Sequence, residues 1–171
     1  MGRISLNERP SGGGAGPRFL ADRTAGRLAR WLRILGFDVE YVSMCDPSRV
    51  ARVARQSRRK ALTRNRKLAE RLGEDSILLE SEHVRDQLQQ VVNTVGHGAC
   101  DPFSRCNVCN VKLVSVERAR VKGRVPEYVY TTHREFSICP SCGRYYWQGT
   151  HWEKMCEEIR MVVEGEQNES K

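Results

Sequence analysis

Two periods of apolar residues alternate through the first half of the chain. Phe19-Leu20-Ala21 is a short apolar run that ends at Asp22, the mark of a buried strand. From Thr24 to Leu35 the spacing turns helical, and Gly36 supplies a C-cap. Phe37–Val42 alternates as a strand. Asp46 can N-cap a helix with Pro47 in its first turn, running to about Ser57. Lys60–Thr63 is a third strand, Asn65 can cap a helix to Leu72, and Gly73 closes it. Ser76–Glu80 is a fourth strand. Glu82–Val95 is a last helix, with Val84, Leu88, Val91, Val92 and Val95 on one face. Four successive β-α units predict an α/β domain with a parallel sheet and right-handed crossovers.

Near Gly96 the pattern changes. Cysteine pairs appear and aromatics cluster, so the expected organisation is an α/β domain over 18–95 and a small cysteine-bearing ribbon over 96–163. The ribbon is expected as a β-hairpin, around Val111–Val116 and Glu127–Tyr130, with a final helix from Trp152 to Val163. Residues 1–17, rich in glycine and proline, read as a disordered leader, and 164–171 as a loose polar tail.

The 171 residues carry a net charge of +8. An excess of this sign favours a polyanionic partner, nucleic acid before membrane. No run is long and apolar enough to span a bilayer, and the first 18 residues hold no apolar secretory core. The expectation is an intracellular, cytoplasmic chain.

Seven cysteines are an awkward number for a disulfide framework. Four form two Cys-x-x-Cys pairs, Cys106/Cys109 and Cys139/Cys142. Pro140 presets one turn, and Gly143 and Asn110 accept the left-handed backbone that such turns need. Four thiolates make a closed, structural Zn²⁺ site. Cys45, Cys100 and Cys156 lack that spacing and read as ordinary small residues, and His97, His133 and His151 are not needed as ligands.

The charge is not evenly spread. At about 100° per residue, Leu28, Trp31, Leu32 and Leu35 fall between about 80° and 180° from Arg23, whereas Arg27, Arg30 and Arg33 fall between about 280° and 40°. One face is apolar and the other is arginine. Residues 49–71 then hold ten basic side chains against Glu70 alone. Arginine predominates, as suits bidentate phosphate contacts. Arg23, Arg27, Arg30, Arg59, Arg64 and Arg66 are the candidate nucleic-acid contacts, and charge does not separate RNA from DNA.

Sites in parallel sheets form where strands end and helices begin. Asp22, Asp46, Asn65 and Glu80 fall there. Clustered carboxylates would suit Mg²⁺ or Mn²⁺ and phosphodiester hydrolysis, while Asp46 and Asn65 read more simply as helix caps.

The stretch Phe19–Asp22 with Gly26-Arg27-Leu28-Ala29-Arg30-Trp31-Leu32-Arg33-Ile34-Leu35-Gly36-Phe37-Asp38, then Leu62–Arg66, Arg105–Asn110, Val125-Pro126 and Cys139 through Trp152, resembles the mut-seven C-terminal ribonuclease family of PIN-like nucleases. The resemblance spans about Arg18 to Cys156. It implies a PIN-like α/β sandwich followed by a zinc ribbon, and metal-dependent ribonuclease activity with RNA as substrate. Carried over by position, Asp22 is the first-strand metal carboxylate and Asp46 a second. Asn65 stands where the family has aspartate, and an amide brings no charge. The alternative is therefore a catalytically impaired RNA-binding or adaptor protein of the same fold. Asp38 and Glu80 are the acids available to compensate, and Tyr145, Tyr146, Trp147 and Trp152 could stack on bases or form the ribbon core.

Overall fold

The computed structural model describes residues 16–96 and 101–149, with single positions 155, 157 and 161. The leader up to residue 15, the tail, Cys100, Cys156, His97, His151 and Trp152 lie outside the described residues. Of the expected final helix only 155, 157 and 161 are described, and they are helical. By its internal contacts the chain divides into two compact units, Met1–Asn110 and Val111–Lys171.

In the first unit, β1 (Arg18–Ala21), β2 (Asp38–Tyr41), β3 (Lys60–Thr63) and β4 (Ser76–Leu78) form one parallel sheet in the order β2-β1-β3-β4. The helices are α1 (Gly26–Ile34), α2 (Pro47–Ser57), α3 (Arg66–Leu72) and α4 (Val84–Val95). β1 lies centrally, and the chain steps to one side of it for β2 and to the other for β3. Right-handed crossovers in opposite directions place their helices on opposite faces. Accordingly α1 packs with α4, and α2 packs with α3. The two basic stretches therefore do not form one surface. The α1 stripe lies on one face of the sheet and the basic side chains of α2 and α3 on the other, while Arg64, at the end of β3, reaches the α1 side.

The local signals act as expected. Asp46 accepts from Ser48 N at 2.9 Å to cap α2, and Asn65 Oδ1 accepts from Leu68 N at 3.2 Å to cap α3. Leu28, Leu32 and Leu35 are fully buried, and Phe19 meets Phe37 edge-on with centroids 5.7 Å apart. Each such side chain contributes roughly 1.5–3 kcal/mol when withdrawn from water. Gly36 (φ 91°) ends α1, and a Cβ there would sit 2.1 Å from the carbonyl oxygen of Asp101.

That approach belongs to a wider attachment. Asp101 N and Phe103 N donate to the carbonyls of Leu35 and Ile34. Arg105 Nε donates to Gly36 O, and Asn110 Oδ1 accepts from Val39 N. Residues 101–110, grouped with the ribbon by sequence, thus pack with the α/β unit. These bonds hold the first knuckle against the α1–β2 turn, and the contact division of the chain falls after Asn110.

The second unit has β5 (Val114–Val116), β6 (Phe136–Ile138) and β7 (Tyr145–Tyr146) in an antiparallel sheet, with short helices α5 (Arg118–Val121) and α6 (Glu127–Thr132). The expected pairing of Val111–Val116 with Glu127–Tyr130 is corrected. Glu127–Tyr130 is helical, started by Pro126 with Glu127 in the first turn, and β5 pairs with β6 instead. Val121, Val129 and Phe136 form the small core, with Tyr145 and Trp147 packed against it. Those two aromatics serve as core mass.

Candidate nucleic-acid interface and metal centre

The two cysteine turns are built alike. Asn110 N donates to Cys106 O and Gly143 N to Cys139 O, both at 2.9 Å, and Asn110 (φ 65°) and Gly143 (φ 71°) are left-handed. Cys109 N donates to Cys106 Sγ at 3.3 Å. The four sulfurs of Cys106, Cys109, Cys139 and Cys142 all lie within 4.8 Å of one another. Zn–S bonds of about 2.3 Å put tetrahedral sulfurs roughly 3.8 Å apart, so the set fits a structural ion such as zinc after slight contraction. Arg33, counted by spacing on the arginine face, is buried. Its guanidinium donates to Val39 O, Asn107 O and Val108 O. Burial pulls the pKa of Arg33 down, while the nearby Cys106 and Cys109 push it up; the net is a lowering. This arginine orients the first knuckle rather than facing solvent.

Asp22 follows β1, beside the point where the strand order reverses, and is buried (4% exposed). Its Oδ1 accepts from Thr24 N at 2.8 Å and from Thr24 Oγ1 at 2.5 Å, and its Oδ2 accepts from Thr63 Oγ1 at 2.5 Å. The two hydroxyls in turn accept Arg64 N and Asn65 N. Asp22 thereby fixes the β3–α3 turn. Asp22→Ala is expected to leave these donors without an acceptor and to lower stability by about 2 kcal/mol in urea melts. Asp22 and Asn65 line one cleft of about 250 Å³ with Cys45, which accepts from Arg23 Nη1 at 2.8 Å. Asp46 is exposed, caps α2, and is not among the cleft's lining residues.

The acids proposed to compensate do not reach this cleft. Asp38 opens β2, at the opposite end of the sheet. Arg59 Nη1 donates to Asp38 Oδ1 at 2.6 Å, and its Nε lies 2.9 Å from Glu40 Oε2, an ion pair outside hydrogen-bond geometry. Burial pushes the Asp38 carboxyl up, but bonds from Arg59 and Asn110 and the charges of Arg59 and Arg105 outweigh it and hold it below the ordinary carboxylate range. Arg59, a candidate nucleic-acid contact, is 8% exposed and taken up by this pair. Glu80 is exposed beyond β4, with β3 between that strand and β1.

Four of the remaining candidates converge. A groove of about 700 Å³ runs along α1 to the start of α4 and is lined by Arg23, Arg27, Arg30 and Arg64, together with Tyr41, Glu82 and Val84. Arg64 pairs with Glu82. Arg27 and Arg30 are exposed, and their side chains make no hydrogen bond or ion pair among the described residues. Arg66 is exposed at the start of α3, outside this groove. Helical spacing found Arg27 and Arg30. Arg23 lies on the same spacing just before α1, and Arg64 alone joins them because β1 and β3 are neighbours.

The model of the Mut7-C RNAse domain matches residues 17–159. The chain belongs to that family. Membership in the Mut7-C RNAse family ties it to a nuclease-like, RNA-related function. No curated protein and no solved structure matches the chain. No described helix is long and apolar enough to cross a membrane.

The divalent ion that a PIN-like nuclease implies fits this cleft poorly. Mg²⁺ requires near-octahedral oxygen ligands, usually one or two carboxylates with waters and phosphate. A carboxylate offers about four lone-pair positions, and three of those on Asp22 already accept hydrogen bonds. The oxygen of Asn65 is used as a cap. Among the described residues, the only group of three or more His, Cys, Asp or Glu placed to share an ion is the four cysteines.

Proposed function

We propose that this Mut7-C family chain binds RNA through the α1 groove, and that its nuclease-type cleft does not sustain metal-dependent hydrolysis. The observation that carries the reading is the pairing of Arg27 and Arg30, exposed and without partners among the described residues, with Arg23 and Arg64 in one groove. Such a surface neutralises phosphates and releases their counterions. The second reading, a ribonuclease using Mg²⁺ or Mn²⁺, draws on family membership and on Asp22 and Asn65 sharing a cleft.

Titration of labelled single-stranded RNA across salt concentrations tests the first reading. Four phosphate contacts give a slope of log K against log salt of about −3, and the Arg27→Ala/Arg30→Ala pair is expected to flatten it by about 1.4. The same RNA, incubated with Mg²⁺, Mn²⁺ or chelator, is expected to stay intact. Cleavage that needs metal, and vanishes in an Asp22→Asn protein shown to be folded, supports the ribonuclease instead. Asn65→Asp restores the second carboxylate and is the natural attempt to gain turnover.

A further inference from the structure

Tyr41 is a large aromatic that the core does not claim. It ends β2 and follows Val39 by two residues, so both side chains project to the α1 face of the sheet. Val39 is fully buried there. Tyr41, at the strand end, is 44% exposed. Its ring lies against the first turn of α1, where a Cβ on Gly26 would approach Tyr41 Cε2 to 3.2 Å. The glycine leaves room for the ring to rest close to the helix. The ring and Arg27 and Arg30 line the same groove.

An exposed aromatic face beside a row of arginines is the combination that single-stranded nucleic acid requires. The arginines hold phosphates, and the ring takes an unpaired base. Paired bases within an A-form duplex are stacked on their neighbours and unavailable to such a ring. Resting on the RNA-binding reading above, we infer that Tyr41 is a base-stacking platform and that the strand held on this surface is single-stranded RNA.

The test measures binding of the full, zinc-loaded chain to a labelled single-stranded RNA, to the same strand with abasic positions, and to a duplex of equal length. Wild type, Tyr41→Phe, Tyr41→Ala and Arg27→Ala/Arg30→Ala are compared, with thermal melts and zinc content confirming the fold. Tyr41→Ala is expected to weaken single-strand binding roughly 5- to 150-fold without changing the salt slope, and Tyr41→Phe to retain it. Removing bases is expected to weaken wild type but to leave Tyr41→Ala unaffected, a signature that a merely structural tyrosine would not give. Duplex binding is expected to be weaker in wild type and insensitive to Tyr41. Unchanged single-strand binding by Tyr41→Ala, with loss in the arginine variant, overturns the stacking role and leaves RNA binding intact. Absence of RNA binding by wild type overturns both readings.

Discussion

Stripping metal from the four thiolates, or replacing Cys139 with serine, is expected to unfold residues 111–149. Among the described residues, the core of that unit is three buried side chains, Val121, Val129 and Phe136, with Tyr145 and Trp147 against them. Its strands are two or three residues long. So little buried apolar area cannot offset the entropy of ordering the segment. Structural zinc sites in comparably small domains contribute on the order of 10 kcal/mol at neutral pH. The expected observation is one zinc per chain by elemental analysis, with loss of amide dispersion in the NMR spectrum for this unit when a strong chelator removes it. The α/β unit holds its own core and is expected to keep its dispersion. A metal-free chain whose 111–149 amides stay dispersed would falsify the structural assignment of the cysteines.

Asp38→Ala is expected to lower stability by about 3 kcal/mol, read as a fall in the denaturation midpoint with an unchanged m-value. Arg59 is buried and donates to Asp38 Oδ1 at 2.6 Å and to the carbonyls of Phe19 and Asp38. Removing the carboxylate strands a buried guanidinium with only Glu40 to balance it, and breaking such a pair is strongly destabilising. Asn110 also loses a partner, since its Nδ2 donates to the same oxygen at 2.8 Å. The pH dependence has a defined sign. The folded pKa of Asp38 lies below its unfolded value of 3.8, so its stabilisation is fully present above that value and is lost as pH falls through the folded pKa. Wild type is expected to lose stability on acidification below pH 3.8, and Asp38→Ala to lose less over the same range. Asp38→Asn, which keeps hydrogen-bonding capacity without charge, is expected to fall between the two.

The fold was largely legible because its signals are local. Strand runs, the caps Asp46 and Asn65, and the stops Gly36 and Gly73 each act within a few residues. Four such β-α units leave few right-handed arrangements. The cysteine turns were legible for the same reason, since Asn110 and Gly143 occupy the left-handed positions that the spacing requires. Glu127–Tyr130 departs from the strand expectation, since Val129 and its flanking tyrosines suit either period. Pro126 and Glu127 are the helix-start signal that outweighed them.

Sequence alone determined the four β-α units, the two thiolate turns, and the arginine bias of α1, because helical and strand periods are set by backbone geometry. Tertiary structure decided which charges are free. Arg33 and Arg27 share a helical face, yet Arg33 sits at its edge, where the carbonyls of Asn107 and Val108 arrive from more than 70 residues away and claim its donors. Arg59 belongs to a run of basic residues, yet parallel pairing of β1 with β2 and β3 brings Asp38 to it. Asp46 and Asn65 follow neighbouring segments, but only Asn65 lines the cleft with Asp22. Hydrogen bonds and ion pairs act over a few ångströms, and those distances are fixed by strand order, which no local period encodes.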